Sequence, residues 1–113
     1  MSQITTHILD TTLGKPARGI EVSLHGQEGT GWKKLAEGAT NIDGRAASLL
    51  PNGQVLPAGI YKIRFETQAY FDELAITAFY PFVEIVFRIS DKGEHYHVPL
   101  LLNPFGYSTY RGS

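Results

Sequence analysis

Val83-Glu84-Ile85-Val86-Phe87-Arg88-Ile89-Ser90-Asp91-Lys92-Gly93-Glu94-His95-Tyr96-His97-Val98-Pro99-Leu100-Leu101-Leu102 is the stretch whose reading decides the fold class. Val83, Ile85, Phe87 and Ile89 recur at every second position, a spacing that gathers side chains on one face of a strand and scatters them around a helix. Asp91, Lys92 and Gly93 supply hairpin-turn chemistry. A second strand then runs from Glu94 to Leu102, with Tyr96, Val98 and Leu100 as its core row. The same rhythm extends in both directions. Upstream, Ile60 to Thr67 turns Tyr61, Ile63 and Phe65 inward, and Ile20 to His25 sets Ile20, Val22 and Leu24 against Glu21, Ser23 and His25. Further strands are expected at Ile4 to Asp10, at Trp32 to Glu37, and within Ala39 to Leu50, where Asn41 to Gly44 interrupts. Downstream, Asn103 to Gly106 turns the chain into a last strand, Tyr107 to Arg111. Only Gln68 to Thr77 loses the period of two; Tyr70, Phe71, Leu74 and Ala75 fit a short helix. Eight short strands and one short helix predict an all-β, two-sheet β-sandwich of Greek-key type.

Composition narrows the function. With 113 residues the chain is expected to form a single domain, 1–113, with one core. The absence of cysteine excludes disulfides, thiolate catalysis and cysteine-bearing zinc sites. Ten basic against eleven acidic residues leave a net charge of −1, so there is no basic footprint for nucleic acid or an anionic membrane. No apolar run approaches the roughly 20 residues needed to cross a bilayer. The opening Met-Ser-Gln-Ile-Thr-Thr-His has no signal-peptide character, and a cytoplasmic location is expected.

Residues on the outward faces carry the functional signal. Ile4 and Ile8 share one face of the first strand, so His7 falls on the other with Thr5 and Leu9. In the Glu94–Leu102 strand, His95, His97, Pro99 and Leu101 face outward. A face bearing Leu9, Pro99 and Leu101 is too apolar to be left in water, and packing on a second copy of the chain is expected. His7 and His97 would then lie within or beside a subunit interface, provided their strands are neighbours.

Thr5 to Ala17 (TTHILDTTLGKPA), Thr40 to Arg45 (TNIDGR) and His95 to Ser113 (HYHVPLLLNPFGYSTYRGS) resemble the 5-hydroxyisourate hydrolases, the enzymatic branch of the transthyretin family. The resemblance spans essentially the whole chain, and the terminal Tyr-Arg-Gly-Ser marks the hydrolase branch. Asn103 departs from the Ser commoner before the proline. The resemblance implies a homotetramer, a dimer of dimers, with active sites in a channel where dimers meet. It also implies hydrolytic ring opening of 5-hydroxyisourate to 2-oxo-4-hydroxy-4-carboxy-5-ureidoimidazoline in urate degradation, with no metal or organic cofactor. The matching positions are His7, Arg45 and His97 as catalytic residues. Tyr110, Arg111, Gly112 and Ser113 would close the substrate pocket, which His7 and Arg45 also line.

The chemistry fits those residue types. Cleaving an acyl C–N bond needs an activated water, a stabilised oxyanion and a protonated leaving nitrogen. Imidazole suits proton transfer near neutral pH, and guanidinium suits a developing oxyanion. His7 and His97 are expected to share water activation and proton delivery, Arg45 to hold a carbonyl oxygen, and Tyr110 to position the flat substrate. Arg111 and Ser113 would shape the pocket edge, where a terminal carboxylate would add an anion. Competing readings are a metal held by His95 and His97, a carboxylate pair of Asp43 with Asp10 or Glu84, and simple surface histidines, His25 and His95 among them. An aromatic-ligand carrier like transthyretin would prefer apolar channel walls. A structural sandwich would use the outer face only as a contact patch.

Overall fold

The alternation in the sequence becomes two β-sheets packed through their apolar faces. The computed structural model describes residues 2–113 and contains nine strands and one helix: β1 (Ile4–Asp10), β2 (Lys15–Pro16), β3 (Glu21–Glu28), β4 (Gly31–Ala39), β5 (Arg45–Ala46), β6 (Gly59–Phe65), α1 (Thr67–Glu73), β7 (Val83–Ile89), β8 (Tyr96–Asn103) and β9 (Gly106–Thr109). One sheet has the order β2-β1-β8-β9, with β5 also pairing β1; the other has the order β4-β3-β6-β7. Ile4 and Ile8 of β1 and Leu100 of β8 meet Leu24 of β3 and Ile63 and Phe65 of β6 in a core from which water is excluded. Truncating any one of these would cost about 2–5 kcal/mol through lost burial and the cavity left behind.

The parity read from the sequence holds along β1, where residues 4, 6, 8 and 10 are buried and 5, 7 and 9 are half-buried. Three expectations change. The Asp91–Gly93 turn does not close a hairpin, because β7 pairs only with β6, while β8 lies in the opposite sheet beside β1. Turn chemistry reverses the chain but does not choose the partner; here the turn carries the chain from one sheet to the other. Pro99 keeps the outward direction expected of it, beside His7, but is buried there because the C-terminal segment packs over it. The helix stops at Glu73, and Ala75 adopts a left-handed backbone (φ 58°) that ends the helical path before Thr77. The sequence reading also passed over β2, a two-residue strand.

One buried carboxylate ties the helix to the first sheet. Asp10 accepts the Thr12 and Leu13 backbone N–H groups at 2.9 and 3.0 Å and the Tyr70 hydroxyl at 2.7 Å. Burial and the Asp10 carboxylate raise the Tyr70 hydroxyl well above the ordinary phenol range, so it stays a donor. Among the described residues no helix is long and apolar enough to cross a membrane.

Candidate active site

The parallel β1–β8 pair is what assembles the site. Its register sets Thr5 beside His97 and His7 beside Pro99. On the other edge of β1, the antiparallel register with β5 sets His7 opposite Arg45. Directly paired residues on adjacent strands point to the same side of a sheet. Three strands from distant parts of the chain therefore present His7, Arg45 and His97 on one outer face. Leu9 and Leu101, themselves paired, continue that face as half-buried apolar neighbours.

Each side chain has a local cause for its position. Arg45 follows the Asn41–Gly44 turn, in which the Asn41 side-chain oxygen accepts the Asp43 and Arg45 backbone N–H groups at 2.9 and 3.0 Å. Gly44 sits at φ +73°, and a Cβ there would lie 2.5 Å from the Ile8 carbonyl oxygen, so only glycine lets this turn press against β1. The Ile8 N–H donates to the Gly44 carbonyl at 2.8 Å, fixing the launch point of Arg45. The guanidinium makes no ion pair or hydrogen bond among the described residues.

His97 is held on several sides. Its Nδ1 lies 2.8 Å from Thr5 Oγ1, which also lies 3.0 Å from Nε2 of His95. The Gly112 N–H donates to the His97 carbonyl at 2.8 Å. A Cβ on Gly112 would lie 2.6 Å from His97 Cδ2 and 3.2 Å from Pro99 Cγ, so glycine is the residue that can lie flat against the ring edge. His97 Nε2 has no hydrogen-bond partner among the described residues. Burial, followed by the charges of Arg45, His7 and His95, holds the His97 imidazole below its ordinary pKa, while the Thr5 backbone pulls the other way. The ring is thus biased toward the neutral form that a general base needs.

An open cleft of about 250 Å³ is lined by Thr5, Thr6, Arg45, Ala47, His95, His97 and Ser113. It brings together Arg45, His97 and Ser113, with His7 on the same face. The structure places Tyr110 and Arg111 elsewhere, on a separate cleft of about 350 Å³ between β7 and the C-terminal segment, which shares only His97 with the first. Tyr110 is 59% exposed there. The Arg111 guanidinium donates to Glu94 at 2.8 Å and lies 4.6 Å from the Tyr96 ring centroid, so it is engaged within its own chain. The metal reading of His95 and His97 finds no third ligand, since no group of three His, Cys, Asp or Glu side chains among the described residues is placed to hold an ion. Thr5 escaped the sequence reading as a site residue; its signal, a hydroxyl on the His7 face, means something only once β8 is known to lie alongside. His95, expected as an exposed residue near His97 or as its partner in a metal site, instead meets the Thr5 hydroxyl through Nε2.

A family model described as the HIUase/Transthyretin family matches residues 4–112. The chain belongs to this family. A protein of Schizosaccharomyces pombe described as a probable 5-hydroxyisourate hydrolase is 48% identical over 97% of this chain and 90% of its own length. The structure of Klebsiella pneumoniae 5-hydroxyisourate hydrolase is 42% identical, with a TM-score of 0.85 over 97% of this chain and 98% of that one. Sea bream transthyretin, crystallised in complex with thyroxine, is 33% identical, with a TM-score of 0.91 over 98% of this chain and 95% of that one. Both branches of the HIUase/transthyretin family therefore share this backbone, and activity has to be argued from the site.

Proposed function

We propose that this protein is a 5-hydroxyisourate hydrolase: it opens the six-membered ring of 5-hydroxyisourate to give 2-oxo-4-hydroxy-4-carboxy-5-ureidoimidazoline, a step in urate degradation within purine catabolism. The observation that carries this reading is the convergence of His7, Arg45 and His97 on one sheet face through the β5–β1–β8 registers. A neutral imidazole takes a proton from water, and the water oxygen bonds to the acyl carbon. Arg45 stabilises the oxyanion that results, and the nitrogen leaves with a proton returned by an imidazolium. His7 and His97 share these proton transfers; no cofactor takes part.

The finer reading extends to the assembly. The half-buried Leu9 and Leu101 beside the site favour a homotetramer, a dimer of dimers, with the cleft facing a second protomer. In that assembly Tyr110, Arg111, Gly112 and Ser113 close the pocket. Tyr110 and Arg111 reach substrate from the far side of the C-terminal segment, and Gly112 acts by seating His97. A cytoplasmic site of action belongs to the same proposal and is checked by cell fractionation.

The test is ultraviolet absorbance of 5-hydroxyisourate generated in situ with urate oxidase. Catalytic acceleration of its decay by sub-stoichiometric protein is the expected result. A carrier would consume substrate at most stoichiometrically, and a purely structural sandwich would leave the decay unchanged; either result refutes the proposal.

A further inference from the structure

We propose that the Thr5 hydroxyl is a positioning group that holds His97 in its Nδ1–H tautomer, with His95 as the acceptor that sets the direction of the hydroxyl. This rests on the hydrolytic reading of the site, in which His97 Nε2 must offer a lone pair. Thr5 Oγ1 lies 2.8 Å from Nδ1 of His97 and 3.0 Å from Nε2 of His95. A hydroxyl carries one proton and two lone pairs, so it can donate to only one of these nitrogens. Two orders place the hydroxyl's own proton in one of these bonds between neutral rings. Either His97 Nδ1–H donates to Thr5 and Thr5 donates to His95, or both bonds reverse and His97 carries its proton on Nε2.

The surroundings select the first order. His97 Nε2 has no acceptor among the described residues, and Arg45, a cation with no carboxylate partner there, lines the same cleft. A positive neighbour favours a lone pair at Nε2 over an N–H dipole pointing the same way. His95 is exposed, so water can satisfy its Nδ1–H while its Nε2 accepts from Thr5. The first order also survives the chemistry. When Nε2 takes a proton from water, both nitrogens of His97 become donors and the bond from Nδ1–H to Thr5 stays in place. In the reversed order Nε2 already carries the ring proton, so that proton would have to move to Nδ1 and the hydroxyl would have to turn before Nε2 could act as a base. A relay that needs no rearrangement as charge develops is the preorganised one.

The experiment uses the full-length protein labelled with 15N in its histidines, with ring tautomers read from long-range 1H–15N correlations above the imidazole titration. His97 is expected as Nδ1–H in the wild type and in Thr5→Ser. In Thr5→Val it is expected to shift to Nε2–H, the form a free histidine side chain prefers. Thr5→Val should also lower kcat by about 10- to 100-fold, the low end of an acid–base contribution, with KM little changed and Thr5→Ser restoring the rate. A wild-type His97 found as Nε2–H, or an Nδ1–H form that persists in Thr5→Val, overturns the proposal. A wild type with the expected tautomer but no turnover of 5-hydroxyisourate removes the hydrolase reading while leaving the tautomer assignment to Thr5 standing.

Discussion

His25 and His97 lie on opposite sheets and are built from the same parts. Each is half-buried on an outward face, and each has a hydroxyl on its ring: Ser23 Oγ lies 2.8 Å from Nε2 of His25, as Thr5 Oγ1 does from Nδ1 of His97. Each imidazole is held below its ordinary pKa, first by burial and next by a nearby cation, Lys62 for His25 and Arg45 for His97. What separates them is the surrounding charge. Around His25, Lys62 pairs with Glu84 at 3.1 Å, Arg64 with Glu66 at 2.6 Å and with Glu84 at 3.3 Å, and Lys34 with Glu37 at 2.6 Å. Around His97, Arg45 has no such partner among the described residues. An imidazole with a hydroxyl partner is therefore not the mark of a site here; the mark is a neighbouring cation left uncompensated, whose field remains available to a developing anion.

That contrast can be broken most forcefully by substituting the two histidines in parallel. His97→Asn is expected to lower turnover of 5-hydroxyisourate by about 10²–10⁴-fold with the assembly intact on a sizing column, while His25→Asn leaves the rate unchanged. Equal losses would erase the distinction. A smaller effect is expected from glycines on the two sheets. Gly112→Ala forces a methyl group to within 2.6 Å of His97 Cδ2, and a turnover loss of about 10-fold or more is expected as the ring shifts. Gly38→Ala meets only the Leu49 side chain at 3.5 Å, an ordinary contact, and should be silent in the same assay.

The next difference lies in pH dependence. Because His97 is held below its usual pKa, it stays neutral as pH falls through the ordinary imidazole range, and the acid limb of kcat/KM should lie below that range. Arg45 is one of the causes, so Arg45→Gln should move the limb to higher pH while also lowering the rate; an unmoved limb would detach Arg45 from His97. The sign for stability follows from the same depression. His97 binds fewer protons folded than unfolded, so its contribution is complete above the unfolded pKa and is lost as pH falls from there through the lower folded pKa. The smallest expected change belongs to the paired network. Glu84 supports the charged form of His25, so Glu84→Gln should lower the His25 pKa further in an NMR titration without altering turnover.

Most of the sandwich was legible because burial enforces parity. Ile4 and Ile8 had to share a side, and that alone placed His7 on the other. The partner of each strand was not legible. Val83–Ile89 and Tyr96–Asn103 look like the arms of a hairpin, yet they belong to different sheets, and the parallel pairing of β1 with β8 has no local signature. The site inherits the same limit. His7, Arg45 and His97 are candidates named by motif resemblance, and the reason they share a face lies in two registers spanning most of the chain. Thr5, and its contact with His95, stayed hidden because a hydroxyl beside an imidazole has meaning only after those registers exist. Arg111 showed the reverse: the resemblance of the terminal Tyr-Arg-Gly-Ser implied a place at the pocket edge, whereas within one chain it answers Glu94.

The parallel pairing of β1 with β8 also bears on how the molecule comes into being. Residues 4–10 leave the ribosome early, while their longest partner, residues 96–103, is still to be translated. Until then β1 can hold only the two-residue strands β2 and β5, and its long edge waits open, a surface on which nascent chains can stick to one another. Assembly of the candidate site and protection of that edge arrive in the same late event, so a prematurely terminated chain would lack the one and expose the other.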